Sequence, residues 1–422
     1  MNLLKDINSE ILTLFRSISK IAEELSTEVY IVGGFVRDTL LQVTNKDLDF
    51  VVVGDGISFA KKVKESLNGD FIVTYNKFGT AKVGLGPLEL EFVGARSEKY
   101  SPNSRKPIVE DADLASDLAR RDFTINAMAI DLSQGKFGQL IDLYNGQDDL
   151  KQGIIKTPLE PNITFIDDPL RIMRAIRFAT RFKYTIEEET YIALQSNVNR
   201  LSIISYERIT EELKKTFESE NPDLGLKLII NSGILQEILP EISEKTWQHN
   251  LKLFSIENIR KWAFLWKFSL LLIVEDISSA QLKKIGKRFK FSNESISLIL
   301  YFSIHFQDLE TLFKSSLNEI DLKHFLFRLG INYEDVIDFY SALIPAENII
   351  NIKKKLSDID QNLMYSKFEL AINGEDIQSV LAIPKGKIIG EIKDSLIESV
   401  LSNLLKNEKK YLVEFVKNTY GK

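Results

Sequence analysis

Residues 32–50 read VGGFVRDTLLQVTNKDLDF and contain the features on which the fold prediction rests. The pair Gly33-Gly34 follows an apolar, β-branched run, and glycine lets a ligand approach the backbone, whose N–H groups suit a phosphate. Asp47 and Asp49 are separated by one residue in a strand-like run, so both carboxylates point to one face. Such a pair suits Mg²⁺. The order strand, glycine pair, helix, aspartate pair favours a magnesium-dependent phosphoryl-transfer site over two solvated aspartates on an edge strand.

Short strand signals and helical segments alternate around this stretch. The strand signals are separated by glycine-containing turns and fall at Val29–Val32, Leu48–Val53, Phe71–Thr74, Ala81–Leu85 and Leu88–Val93. After about residue 155 the spacing of apolar residues becomes helical and stays so. The predicted fold class is an α+β head with a small mixed sheet, followed by an all-α neck, body and tail. The predicted domains are residues 1–150, 151–225, 226–330 and 331–422.

Composition excludes several kinds of site. Of the 422 residues, 44% are apolar and 27% are charged, and there is no cysteine. The chain therefore has no disulfide, thiolate metal site or cysteine nucleophile. Its three histidines are too scattered for a histidine metal cluster. The net charge of −6 argues against a broadly basic nucleic-acid coat and leaves room for a local basic patch.

Neither secretion nor membrane insertion is predicted. Residues 1–15 mix acidic side chains among the leucines and lack the regions of a signal peptide. The most apolar stretch, residues 262–274, is shorter than the roughly 20 residues that a bilayer-spanning helix needs. We therefore expect a cytoplasmic protein with no membrane partner.

Two further segments of the head are candidates for parts of the site, a strand with two glutamates and a polar loop. Residues 88–93 read LELEFV, and Glu91 is the candidate for a third carboxylate of the site. Glu89 shares its face by strand alternation, so the pattern alone does not choose between them. Residues 96–107 are polar and contain two prolines, which predicts a mobile loop.

Residues 167–178 read DDPLRIMRAIRF and predict the start of a helix. Pro169 suits the first helical position and Asp168 suits the N-cap before it. Three arginines recur every third residue and so share one broad face, namely Arg171, Arg174 and Arg177. Such a stripe is either a solvated surface or part of a site.

Four strings together resemble the bacterial-type (class II) tRNA CCA-adding and poly(A) polymerase family, within the DNA polymerase β nucleotidyltransferase superfamily. They are GGFVRD at 33–38, KDLDFVVVG at 46–54, RRDFTINA at 120–127 and DDPLR at 167–171. Residues 78–81 also resemble the family's FGT turn. The family pattern E-D-x-x-R has glutamate where this chain has Asp167, which puts that residue in doubt but leaves the Asp168–Arg171 pair.

The resemblance implies a role for each candidate residue. Asp47 and Asp49 would bind Mg²⁺, with Glu91 as the third catalytic carboxylate. Asp168 and Arg171 would hydrogen-bond to the base of the incoming nucleotide. The remaining nucleotide-binding residues would be Gly33, Gly34, Arg37, Arg121, Arg174 and Arg177, of which Arg174 and Arg177 would face the triphosphate or support the pocket. Asn126 would support the backbone.

The implied activity is template-independent, magnesium-dependent addition of C, C and A to the 3′ end of tRNA from CTP and ATP. Alternatives are a poly(A) polymerase, an enzyme that adds only CC or only A, and an inactive RNA-binding protein of the same fold. The loop at 96–107 would be the element that changes between C and A addition, and residues 372–410 would contact the tRNA elbow. No histidine-aspartate pair follows residue 240, so the metal phosphohydrolase activity found in many relatives is expected to be absent.

Overall fold

The computed structural model describes most of the chain, in two compact units, Met1–Ser243 and Glu244–Lys422. The described residues are 2–43, 47–76, 79–101, 104–273, 277–314, 319–329, 333–341, 347, 349–351, 353–354, 366 and 369–421. Phe78 of the predicted FGT turn lies outside them. No helix within these ranges is both long enough and apolar enough to cross a bilayer. The finer division into four domains stays a prediction.

The first unit contains a seven-stranded sheet in the order β3-β4-β5-β2-β1-β8-β9. Strands β2 and β5 are parallel, and the other neighbours are antiparallel. The strands are β1 (Val29–Val32), β2 (Leu48–Val52), β3 (Phe71–Tyr75), β4 (Thr80–Leu85), β5 (Leu88–Gly94), β8 (Met128–Asp131) and β9 (Leu140–Asp142). Two smaller sheets pair β6 (Arg96–Ser101) with β7 (Ser104–Asp111), and β10 (Ile154–Ile155) with β11 (Thr185–Ile186). The predicted mixed sheet is thus confirmed.

Helices occupy the rest of the first unit. They are α1 (Ser9–Glu24), α2 (Gly34–Leu40), α3 (Gly56–Ser66), α4 (Leu114–Ala119), α5 (Gly146–Gln152), α6 (Pro161–Asp167), α7 (Leu170–Phe182), α8 (Glu188–Ser196), α9 (Tyr206–Phe217), α10 (Pro222–Asn231) and α11 (Ile234–Ile238). Residues Thr124–Asn126 and Val198–Ile203 form 3-10 helices.

The second unit is helical wherever the structure describes regular secondary structure. Its helices are α12 (Glu244–Phe254), α13 (Glu257–Arg260), α14 (Phe264–Ile273), α15 (Ser279–Arg288), α16 (Asn293–Lys314), α17 (Glu319–Leu329), α18 (Tyr333–Tyr340), α19 (Gly374–Leu381), α20 (Lys387–Leu401) and α21 (Lys409–Tyr420). The last three helices share a core that includes Ile377, Leu396 and Leu412. The predicted helical body and tail are therefore confirmed.

One face of the large sheet is covered and the other carries the candidate site. Phe50 and Phe92 stack 4.8 Å apart on the covered face, and Phe15 of α1 meets Phe50 at 6.0 Å. Both strand phenylalanines are fully buried. Because side chains alternate along a strand, burying Leu48 and Phe50 turns Asp49 to the opposite face.

The segment predicted as a loop at residues 96–107 forms paired strands at residues 96–101 and from residue 104 onwards, so that prediction is wrong for the backbone of these described residues. Strands β6 and β7 pair antiparallel, with Arg96 opposite Asp111 and Lys99 opposite Ile108. In a two-stranded ribbon each strand has one unpaired edge, so a proline such as Pro107 is tolerated. The mobility of this segment, and its role in switching between C and A, remain predictions.

Candidate active site

Two carboxylates lie side by side on the sheet face opposite Phe50 and Phe92, which we call the open face, although Leu118 of α4 packs on Val51 at one part of it. Strands β2 and β5 pair in parallel register with Asp49 directly beside Glu91. Neighbours in register point to the same side of a sheet, so both side chains lie on the open face. Asp47 is exposed and precedes β2 by one residue, close enough for its charge to act on Asp49. The structure therefore brings the three predicted carboxylates into one region.

The electrostatics of Asp49 show an excess of negative charge. Burial, followed by the charges of Glu91 and Asp47, raises the pKa of Asp49 to about 6, although Arg121 opposes the shift. Within the described ranges, no three acidic or histidine side chains converge closely enough to form a complete metal-ligand set. The site is thus a group of neighbouring oxygen donors whose mutual repulsion a cation would relieve.

The alternative third carboxylate, Glu89, has a different partner. Its Oε2 accepts a hydrogen bond from Lys82 Nζ at 2.9 Å, and its side chain is 59% exposed. Glu91, by contrast, is half-buried beside Asp49. The geometry therefore favours Glu91 in the choice that strand alternation left open.

The glycine turn lies against both Asp49 and Arg121. Gly33 has a φ of +70° and precedes α2, which begins at Gly34. A Cβ added to Gly33 would lie 3.2 Å from Arg121 Nη1 and 3.8 Å from Asp49 Oδ2. A backbone turn, an arginine and a carboxylate thus converge without room for a side chain at Gly33. Backbone N–H groups at the start of a helix and a guanidinium beside a carboxylate suit a metal-bound phosphate.

A buried aspartate fixes Arg121. Asp117 is fully buried, and its Oδ2 accepts from Arg121 Nη2 at 2.9 Å while its Oδ1 accepts from Arg120 Nη2 at 2.5 Å. Burial alone would raise the pKa of Asp117, but Arg121 and Arg120 outweigh it, so the pKa is lowered. Asp117 therefore stays ionised and holds Arg121 towards Gly33. Sequence reasoning missed this role, although Asp117 lies only three residues before the RRDFTINA string.

Arg37 is placed in a buried network. Its Nη1 donates to Asn126 Oδ1 at 2.6 Å and its Nε donates to Asp38 Oδ1 at 2.8 Å. Its guanidinium lies 5.0 Å from the ring of Phe182 and 5.5 Å from that of Phe178. A contact between Arg37 and the triphosphate would require this network to open, and that contact stays a prediction.

Helix α7 begins one residue later than the Asp-Pro sequence predicts, with Pro169 rather than Asp168 at the N-cap position. The helix begins at Leu170, whose N–H is accepted by Asp168 Oδ1 at 3.2 Å. Arg171 is buried and donates to two backbone oxygens, that of Arg120 at 2.5 Å and that of Thr164 at 3.4 Å. Arg171 therefore links the start of α7 to the segment that carries Arg121.

The other two arginines of the stripe bind acidic partners rather than solvent. Arg174 donates through Nε and Nη2 to Asp122 Oδ2 at 2.8 and 2.5 Å, and Arg177 Nε donates to Glu212 Oε2 at 2.5 Å. Although burial raises the pKa of Asp122, Arg174 and the hydrogen bond from Asn126 lower it to about 2. The Arg174–Asp122 pair thus links α7 to the head, and the Arg177–Glu212 pair links α7 to α9.

The partners of the stripe were not found from the sequence. Asp122 lies inside the RRDFTINA string and also accepts from Asn126 Nδ2 at 3.0 Å. Asn126 thus bridges side chains, Arg37 and Asp122, rather than supporting the backbone alone. Glu212 lies in α9, which begins at Tyr206. The sequence of this helix does not distinguish Glu212 from the neighbouring Glu211 as a partner for an arginine.

Three family profiles match consecutive parts of the chain. The poly(A) polymerase head domain matches residues 29–156, the RNA and SrmB-binding site of polymerase A matches residues 183–246, and tRNA nucleotidyltransferase domain 2 matches residues 258–416. The first profile covers the sheet and the glycine turn, and the second begins at the end of α7.

A-adding and CCA-adding enzymes are both among the relatives to which the chain is similar. The A-adding tRNA nucleotidyltransferase of Halalkalibacterium halodurans is 38% identical over 55% of this chain and 55% of that protein. This chain matches still smaller shares, 31% and 26%, of two other A-adding relatives, from Aquifex aeolicus and Geobacter sulfurreducens. The CCA-adding enzyme of Ligilactobacillus salivarius is 28% identical over 93% of both chains.

Solved structures are similar over the whole length. A CCA-adding enzyme in complex with CTP is 30% identical, with a TM-score of 0.75, over 100% of this chain and 97% of that chain. The Thermotoga maritima CCA-adding enzyme complexed with tRNA is 28% identical, with a TM-score of 0.72, over 99% of this chain and 97% of that chain. The similarity therefore extends from the candidate site through both compact units.

Proposed function

The chain belongs to the class II tRNA CCA-adding enzyme and poly(A) polymerase family, and we propose that it adds C, C and A to the 3′ end of tRNA from CTP and ATP. The observation that carries this function is the meeting of Asp49, Gly33 and Arg121. It combines a carboxylate for a cation with a backbone turn and a cationic side chain for phosphates. We assign this reaction to the cytoplasm, without a membrane partner.

We propose Asp47, Asp49 and Glu91 as the carboxylates that hold divalent cations, with Mg²⁺ as the ion. The donor set fits, because all three groups offer hard oxygens, and burial together with their crowding raises the pKa of Asp49. The chemistry that such ions supply is a lower pKa for the attacking 3′ hydroxyl and neutralisation of charge on the leaving pyrophosphate.

The triphosphate is assigned to the turn at Gly33 and Gly34. Backbone N–H groups there would bind phosphate oxygens, and Arg121, held by Asp117, would pair with them. Arg174 is one-third exposed beside Asp122 and is assigned to the outer side of the same pocket. Arg37 and Arg177 are assigned to the support of that pocket in the conformation described above.

Asp168 and Arg171 are assigned to the base of the incoming nucleotide. Arg171 donates two of its five N–H groups to backbone oxygens. Asp168 Oδ1 accepts from Leu170 N, and each carboxylate oxygen has two lone pairs. An acceptor and a donor together suit the amino group and ring nitrogen of C or A. Binding of U or G would leave the lone pairs of Asp168 that face the base without an amino-group donor, which costs roughly 1–3 kcal/mol.

The helical tail, residues 331–422, is assigned to contacts with the tRNA. The proposal for residues 372–410 rests on resemblance and on the ordered core of α19, α20 and α21. Mutations of exposed lysines in this region would test it by their effect on the KM for tRNA but not on that for a short primer.

Addition of A alone is the second candidate, because the A-adding relatives are 35–38% identical in the aligned region. One experiment separates the possibilities. The protein is incubated with tRNA that ends before CCA, after C and after CC, with CTP or ATP supplied singly. A CCA-adding enzyme adds C to the first two substrates and A to the third. An A-adding enzyme extends only the third, a poly(A) polymerase adds long A tails to all, and an inactive RNA-binding protein extends none.

A further inference from the structure

The open sheet face continues beyond the carboxylates towards the edge strand β3. The register places Val73 beside Lys82, Lys82 beside Glu91, and Glu91 beside Asp49. Direct neighbours in register point to the same side of a sheet. These four residues therefore form one row across four strands, on the face that carries the candidate site.

Strand β3 exposes apolar side chains on this face. Phe71, Val73 and Tyr75 alternate along the strand and are 43%, 43% and 48% exposed. The ring of Phe71 lies over Gly84, where a side-chain methyl group would overlap it. We call Phe71, Val73 and Tyr75, together with Lys82, the edge platform.

Lys82 is the cation of this platform and lies within reach of several groups. Its Nζ donates to Glu89 Oε2 at 2.9 Å, and Lys82 lies directly beside Glu91 in the register of β4 and β5. The side chains of Lys82 and Glu89 are 33% and 59% exposed, and ion pairs within reach of solvent contribute little to stability. Lys82 can therefore release Glu89 and bind a phosphate with only a small loss of folding stability.

The order of the strands decides from which side the RNA approaches. Gly33 and Arg121 lie on the β1 side of Asp49, whereas Glu91 and Lys82 lie on the β5 and β4 side. In nucleotidyl transfer the attacking oxygen and the leaving group are roughly in line, on opposite sides of the phosphorus. With the triphosphate at Gly33, the attacking RNA end lies over β5, β4 and β3.

We propose that the edge platform binds the single-stranded 3′ end of the RNA primer, with Tyr75 stacked on a base and Lys82 paired with a backbone phosphate. An aromatic side chain beside a lysine is the combination that binds single-stranded nucleic acids without strict sequence preference. A surface of this kind suits a primer whose terminal bases change as C, C and A are added. The inference rests on the proposed function and deepens it.

The test compares platform variants with a matched control on the same strand. Tyr75→Ala and Lys82→Ala are each expected to raise the KM for tRNA lacking CCA about ten-fold, with the KM for CTP unchanged. Tyr75→Trp is expected to retain the wild-type KM, because the aromatic face is kept. Thr74→Ala, on the opposite and also exposed side of β3, is expected to change neither constant.

A primer with an abasic 3′-terminal nucleotide identifies the stacking partner. With this primer the wild type and Tyr75→Ala are expected to have the same KM, because the base that stacks on Tyr75 is missing. Unchanged KM values for normal tRNA in both platform variants would overturn the inference, as would an equal defect in Thr74→Ala. Failure of the wild type to extend any RNA would instead contradict the proposed function, so the two failures are distinguishable.

Discussion

Replacing Asp49 by asparagine is expected to stabilise the folded head while abolishing nucleotide transfer. The folded protein raises the pKa of Asp49 from 3.8 to about 6, so the ionised carboxylate is less favourable in the folded than in the unfolded state. A shift of about two pKa units corresponds to roughly 3 kcal/mol at most, at 1.36 kcal/mol for each unit. Asparagine keeps the shape and removes the charge, so Asp49→Asn should gain up to about that free energy of unfolding at pH 8.

The raised pKa of Asp49 also determines how the stability of the wild type changes with pH. Between about pH 4 and pH 6 the folded state binds more protons than the unfolded state, so wild-type stability falls as the pH rises through this window. The advantage of Asp49→Asn should therefore be complete above pH 6 and disappear near pH 4. Mg²⁺ should stabilise the wild type at pH 8 and leave the variant almost unchanged.

The assay must report on the head alone. All three tryptophans, Trp247, Trp262 and Trp266, belong to the second compact unit, so tryptophan fluorescence does not follow the head. Hydrogen exchange of the amides of β2 in EDTA, at pH 8 and pH 4.5, measures the relevant opening free energy. Glu89→Gln is the control, since Glu89 is exposed on the same face. An Asp49→Asn variant no more stable than the wild type at pH 8, or a gain as large at pH 4.5 as at pH 8, would refute the electrostatic argument.

Asp168→Ala and Arg171→Ala are expected to raise UTP incorporation relative to CTP on tRNA lacking CCA, because both lose a group that reads the base. An unchanged ratio in both folded variants would remove the base-reading role. Gly33→Ala is expected to lower the unfolding free energy by about 1–3 kcal/mol, because its φ is +70°, and to reduce kcat/KM as its methyl group displaces Arg121. Gly135→Ala, in open space without positive φ, is the control, and equal effects would disprove the steric reasoning. No hydrolysis of 2′,3′-cyclic phosphates is expected, and turnover that survives Asp47→Ala would show a second active site.

Local patterns were enough to predict the framework of the head. The apolar run at 29–32 is β1 residue for residue, and the helix predicted to start within residues 167–178 is α7. Both elements bury apolar side chains at the period of their secondary structure, which is the signal that a sequence carries. The proximity of Asp47 and Asp49 is likewise local, because Asp49 lies in β2 and Asp47 directly precedes that strand.

Contacts between distant segments could not be predicted in the same way. Arg174 binds Asp122, 52 residues earlier in the chain, and the spacing of the arginines shows a shared face without its partner. The distinction between Glu89 and Glu91 depends on Lys82 and on parallel pairing with Asp49, neither of which alternation reveals. The paired strands β6 and β7 could not be predicted either. Their residues are mostly polar, so the sequence shows little of the apolar alternation that indicates a strand.

CCA addition by a site that depends on Asp47 and Asp49 can be tested by sequencing the product made from tRNA that lacks CCA, with all four nucleoside triphosphates and Mg²⁺ present. We expect the wild type to add C, C and A and then stop, whereas Asp47→Ala and Asp49→Ala should add nothing although both remain folded. Addition of U or G, an A tail of indefinite length, or normal CCA addition by either aspartate variant would contradict it.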